Sequence, residues 1–176
     1  MKMLKIIGIA VLVVVGAVLV LAAFRPDSFR IQRAATIKAP PEKIAAVLSD
    51  FHGWEAWSPW EKMDPALKRS YSGAAKGKGA VYAWQGNREV GEGRMEITEA
   101  APSRVAIDLD FVKPFEAHNK VVFTLVPKGD STEVTWAMQG PLPYVAKVVH
   151  VVFDMDGMVG KQFETGLANL KAVAEK

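Results

Sequence analysis

Three histidines are the first places to look for chemistry in this chain, because imidazole binds metals and moves protons near neutral pH. His52, His118 and His150 are far apart in sequence, and none stands in an HxH or HExxH spacing, so no metal site is expected. The chain has no Cys, which removes thiolate nucleophiles, zinc ribbons and disulfide scaffolds together. His150 precedes Asp154 by one helical turn, the spacing of an ordinary surface pair. His118 follows Pro114, Phe115 and Glu116 at a strand edge, where a turn or surface position is favoured over one facing a cavity. The segment Gly86 to Arg94 holds Arg88, Glu89, Glu92 and Arg94 among three glycines, but it lacks the GxGxxG and Walker spacings. It reads as an edge hairpin of mixed charge and not as a phosphate cradle.

Asp156 is the carboxylate with the most chemical interest. On a straight helix it projects close to Phe163, the only charge on an apolar stripe, where it would meet an interior space and pair with a strand arginine such as Arg94 or Arg88. Gly157 and Gly160 instead favour a kink that releases it to solvent. The tryptophans at 54, 57 and 60 recur every third residue and fall on one side of a helical turn that Pro59 ends. Packing of that turn on a sheet explains most of them. Together with Tyr82 and Trp84 they can also rim a pocket, or touch a headgroup layer.

The headgroup reading comes from residues 6 to 24, a run without one charged or hydrogen-bonding side chain, flanked by Lys2 and Lys5 before it and Arg25 and Pro26 after it. As a helix rising about 1.5 Å per residue, it is long enough to cross the hydrocarbon layer. An uncleaved anchor is favoured over a secretory signal, whose apolar core runs only about 7–15 residues. Residues 1–25 are therefore expected to be a tail and transmembrane helix contacting the bilayer through 6–24, in a single-pass protein of a bacterial-type inner membrane. Lys2 and Lys5 before the span are nearly balanced by Arg25, Arg30, Arg33 and Lys38 after it, so the side of the domain stays open, with export weakly favoured by the short basic tail ahead of a first apolar segment. Without Lys2 and Lys5 the chain keeps 20 basic against 19 acidic residues, so the basic balance lies mostly in the tail, and no nucleic-acid partner is expected.

Residues 26–176 read as one domain. Phe29, Ile31, Arg33, Ala35 and Ile37 alternate with Arg30, Gln32, Ala34, Thr36 and Lys38, predicting a strand. Pro40 and Pro41 then open a short helix carrying Ile44, Val47 and Leu48. From 68 to 138, turn signals separate period-two runs such as Val105, Ile107, Leu109 and Phe111 against Asp108 and Asp110, the pattern of an antiparallel meander with one apolar face. From Pro143 to Lys176, Val145, Val149, Val152, Val159, Phe163, Leu167 and Leu170 fall on one stripe, predicting one long amphipathic helix over that face.

The stretches IKAPPEKIAAVLSDFHGWEAWSPWEKMDP (37–65), YSGAAKGKGAVYAWQGN with VGEGRMEITEAAP, and FETGLANLKAVAE resemble the SRPBCC, or START-like, superfamily. The branch they resemble most is the polyketide cyclase/dehydrase-related one, which includes members with an N-terminal membrane helix. The resemblance covers about residues 28–175. It implies an α+β helix-grip fold, in which a curved antiparallel sheet wraps a long C-terminal helix around an apolar cavity. No catalytic residue carries over from it, no cofactor is expected, and enzyme activity stays open. On that frame the candidate cavity residues are Trp57, Tyr82, Trp84, Met95, Leu109, Phe111, Phe123, Trp136, Val152, Asp156 and Phe163. The expected partner is a hydrophobic small molecule or lipid; the alternatives are a membrane-protein partner, or a cyclase or dehydrase reaction using Asp156 or His118 as acid or base.

Overall fold

The computed structural model describes residues 2–176. An apolar helix α1 (Lys2–Ala23) leads into strand β1 (Ser28–Ile37), helix α2 (Pro41–Leu48) and two single-turn 3₁₀ helices (Phe51–Ala56 and Pro59–Lys62). Strands β2 (Lys68–Gly73), β3 (Ala80–Gln85), β4 (Glu92–Ala101), β5 (Arg104–Lys113), β6 (Ala117–Lys128) and β7 (Ser131–Pro141) come next, then helices α3 (Tyr144–Val152) and α4 (Met155–Ala174). The seven strands form one antiparallel sheet in the order β1-β7-β6-β5-β4-β3-β2. β1 reaches β7 because α2 and the 3₁₀ turns carry the chain from one edge of the sheet to the other.

Alternation sets the faces as expected: Val105, Ile107 and Leu109 of β5 are buried, with Phe123 and Leu125 of β6 and Val134 and Trp136 of β7 beside them. Register shifts between Glu92 and Gly93 and between Ile97 and Glu99 bend the β4–β5 pair, which helps the sheet curl around α4. α4 buries Phe163, Leu167, Leu170 and Ala174 in the resulting concavity. The fold is the α+β helix-grip arrangement, with one apolar helix ahead of it.

The C-terminal segment differs from the single helix expected. Phe153 adopts an extended conformation (φ −117°, ψ 139°), and Asp154 starts a new helix by accepting from the Gly157 amide at 2.9 Å. An aspartate at that position caps a helix and satisfies an otherwise unpaired donor. A hydrophobic stripe does not register the break, because Val149, Val152 and Val159 keep helical phase across it. The consequence is that Val145, Val149 and Val152 do not cover the sheet: they are 74%, 39% and 58% exposed. α3 packs instead beside α1, and the Tyr144 hydroxyl donates to the Leu19 carbonyl at 2.9 Å.

His150 has a different partner from the one its spacing suggested. Its ring lies 5.7 Å from that of Phe29, and Asp154 is occupied as a cap. Burial, and the neighbouring charge of Arg25, lower the His150 pKa. The tryptophan run is likewise not one helical turn. Trp54 closes on α2 by donating to the Leu48 carbonyl at 3.0 Å, Trp57 is fully buried, and Trp60 sits in the second 3₁₀ turn. With Trp54 and Trp57 facing the core, the cluster does not form a headgroup-contacting surface.

Candidate functional site

Between the sheet, the 3₁₀ turns and the first half of α4 lies a cavity of about 350 Å³. Strand alternation brings Tyr82, Trp84, Met95, Leu109, Phe111 and Trp136 into its wall, and Phe163 enters from α4. Four expected residues lie elsewhere. Trp57 and Phe123 share the apolar side, but they fill the closed end of the core, each ring packed against Trp136 at 5.5 and 4.9 Å. Val152 lies on the outward face of α3. Asp156 points out of the first turn of α4 and pairs with Arg33 of β1, not with Arg94 or Arg88, at 3.0 Å. Arg33 also holds Glu164 at 2.9 Å, and these two carboxylates keep its guanidinium firmly charged. Asp156 is thus part of a clamp between β1 and α4, outside the cavity.

His118 is also outside. It stands on the opposite side of the sheet from Leu109 and Phe111, 79% exposed, with Nδ1 2.7 Å from Asp110 Oδ1. That carboxylate raises its pKa.

The aromatic rings of the cavity wall form two stacked groups. Trp136 and Phe163 stack at 4.3 Å with planes 7° apart, and Trp60 meets both edge-on. α4 approaches this stack closely only because residue 166 is glycine: a Cβ there would meet the Trp136 ring at 2.6 Å. In the second group Trp84 stacks on Tyr82 and donates to the Val90 carbonyl at 3.0 Å. Gly93, across from Trp84 in β4, has no room for a side chain between that ring and the Asp110 carbonyl.

The polar centre of the wall is a group not anticipated from sequence. Glu61, 8% exposed, accepts from the Tyr82 hydroxyl at 2.6 Å on Oε1 and from Arg69 Nε at 2.6 Å on Oε2. Arg69 also donates to the Glu61 and Leu67 carbonyls, so it bridges the second 3₁₀ turn to β2. A buried charge is tolerable when paired and hydrogen-bonded in this way. Burial, reinforced by the bond to the Glu61 carboxylate, pushes the Tyr82 phenol well above its usual pKa. The Glu61 bond in turn raises that of Arg69. Tyr82 is therefore a neutral donor and Glu61 an acceptor with lone pairs left for a further donor. Buried Ser58 and Val90 complete the wall beside Glu89, which is exposed, and Met155 and Val159 close it from α4. The loop bearing Glu89 is held by Asp64, 7% exposed, which accepts from the Asn87 amide at 2.6 Å. Among the described residues, the buried indole N–H groups of Trp57 and Trp136 have no acceptor.

A sheet curled around a C-terminal helix over an apolar cavity defines the START-like class of helix-grip proteins. The family model described as "Polyketide cyclase / dehydrase and lipid transport" matches residues 28–175, and the chain belongs to that family. Solved structures share the architecture. Protein CV1439 from Chromobacterium violaceum is 15% identical, with 86% of this chain and 99% of that one covered at a TM-score of 0.59. The Aha1 dimer from Colwellia psychrerythraea is 20% identical, with 84% and 96% covered at 0.60. Protein MLL2253 from Mesorhizobium loti is 18% identical, with 82% and 96% covered at 0.58. Identities this low establish the shared fold alone. No curated protein matches by sequence.

Proposed function

We propose that this chain is a membrane-anchored START-like module, with residues 1–25 as tail and anchor and 26–176 as an exported domain that holds a hydrophobic small molecule or single lipid chain. The observation that carries the reading is the cavity of about 350 Å³, walled by aromatic and aliphatic side chains around one buried carboxylate. Small-molecule pockets occupy about 300–1,000 Å³, are mostly apolar, and use a few convergent polar groups to orient what they bind. A volume at the low end of that range suits a compact ring system or one acyl chain better than a two-chain phospholipid.

The wall chemistry narrows the ligand. Glu61 and Glu89 are both acidic, so an anionic ligand head is disfavoured, whereas a hydroxyl would donate to the free lone pairs of Glu61. A neutral, mainly apolar molecule with a hydroxyl meets each requirement. The test is titration of the full-length chain in nanodiscs with 1-naphthol, naphthalene and 1-naphthoate, read by the indole N–H resonances. Tightest binding by 1-naphthol, with displacement of the Trp136 resonance, is expected. Equal response to all three, or none, would contradict the reading.

A further inference from the structure

The helix whose apolar stripe does not cover the sheet shows how the domain sits against its membrane. α3 is oriented opposite to a water-facing helix. Its charged residue, Lys147, is 8% exposed and turned inward onto Asp27 at 2.5 Å, and its His150 rests on Phe29. Facing out are Val145, Val149 and Val152, one helical stripe at i, i+4 and i+7, continued by Phe153 and by Met158 at the start of α4. Scattered exposed apolar residues are ordinary, but a continuous row with the polar residues tucked beneath it is not.

The position of this row identifies what covers it. α3 comes directly after β7, whose Pro141 pairs with Ser28 at the start of β1, so α3 lies at the end of the sheet where the anchor enters. Tyr144 reaches the Leu19 carbonyl, four residues before the last residue of α1. At a rise of about 1.5 Å per residue this sets Tyr144 roughly 6 Å inside that end, within the layer where interfacial helices bury their apolar faces. Tyrosine at that depth is itself an interfacial anchor.

We infer that α3 is an interfacial helix, lying in the bilayer surface beside α1 with Val145, Val149, Val152 and Phe153 turned into the acyl layer. The inference rests on the proposal that α1 crosses the bilayer. It also gives the cavity an address: Met155, in the cavity wall, is two residues beyond Phe153, so the site adjoins the membrane-facing edge of the domain and a hydrophobic ligand would pass to it without crossing bulk water.

The chain has no native Cys, so single thiols can be placed at will. Full-length variants Leu12→Cys, Val149→Cys, Val152→Cys and Asp130→Cys would be labelled with a polarity-sensitive fluorophore and reconstituted in liposomes of zwitterionic and anionic phospholipids. Each would be exposed to lipid-borne spin-label quencher and to aqueous iodide. Labels at 149 and 152 are expected to lose more than about half their emission to the shallow lipid quencher and little to iodide, as an interfacial face requires. The label at 130, in the β6–β7 turn at the far end of β1, should do the reverse. The label at 12 reads the anchor separately. Deep quenching at 12 with iodide quenching at 149 and 152 would overturn the inference and leave the anchor intact. Loss of lipid quenching at 12 while 149 and 152 keep it would overturn the anchor and leave the apolar face of α3 on the membrane. Shielding of 149 and 152 from both quenchers would mean a protein contact there, and would also overturn the inference.

Discussion

The Tyr82 hydroxyl donates to Glu61 Oε1 at 2.6 Å in the wall of an otherwise largely apolar cavity, fixing one carboxylate oxygen of the site. A hydrogen bond to a charged group contributes about 1.5–3 kcal/mol, and here both partners are buried. Tyr82→Phe should therefore lower unfolding stability by about 2 kcal/mol, measured by urea denaturation at neutral pH. The same substitution should alter the alkaline limb. Because the folded-state phenol holds its proton above the ordinary tyrosine value, stability is full below about pH 10 and falls as pH rises past it, where the unfolded chain ionises first. Tyr71, also raised by burial, contributes in the same direction. Tyr82→Phe should make the decline shallower without abolishing it; an unchanged slope would contradict the assignment.

Filling the cavity should separate binding from folding. Val121 of β6 lies in the wall and is 5% exposed. Val121→Trp directs the added ring into the void, so its cost should stay near or below about 1 kcal/mol, the low end for a larger core residue. A thermal midpoint within a few degrees of the parent, with binding of 1-naphthol lost, is the expected pair of results.

The acid–base residues suggested by sequence should be silent. His118 and Asp156 lie outside the cavity, so His118→Ala and Asp156→Asn should each leave the occupancy of the site unchanged and have little effect on stability. NMR titration provides a check on their surroundings. His118 should hold its proton to a higher pH than free imidazole because of Asp110, and His150 should lose it at a lower pH because it is buried near Arg25. The reverse order would show that these two environments are wrong.

α3 should be the most separable part of the domain. Its docking uses the Lys147–Asp27 pair, and Lys147 is buried although Asp27 is not. Lys147 holds the Asp27 carboxyl below its usual pKa, so this contribution is present above about pH 4 and fades as pH falls through the lowered value. Asp27→Ala should accelerate amide exchange across Tyr144–Val152 while leaving β5, β6 and β7 protected, as hydrogen exchange by mass spectrometry would show.

These residues also show what a sequence can and cannot carry. Strand faces were legible because period two is local: Leu109 and Phe111 had to oppose Asp108 and Asp110 whatever the rest of the chain did. The grip of α4 was legible in Phe163, Leu167 and Leu170. The division of the apolar side into filled core and open cavity was not, because Trp57 and Phe123 carry the same pattern as Trp84 and Phe111, and only the position of α2 and the 3₁₀ turns distinguishes them. The break at Phe153 was hidden by an unbroken stripe. Its local signal was Asp154 three residues before Gly157, a cap written in polar residues. Glu61 was the least legible, since a carboxylate beside Trp60 reads as surface until Arg69 and Tyr82, eight and 21 residues away, fold over it.

The central claim is that the cavity is a ligand site, and it is tested most directly by what the chain carries out of the cell. Full-length protein and the Val121→Trp variant, purified identically, would be extracted with organic solvent and their small molecules compared by mass spectrometry; lipids held only by the anchor appear in both. A discrete, neutral, largely apolar species near equimolar with the parent and absent from the variant is the predicted result. Indistinguishable extracts, from proteins of equal thermal stability, would contradict the claim.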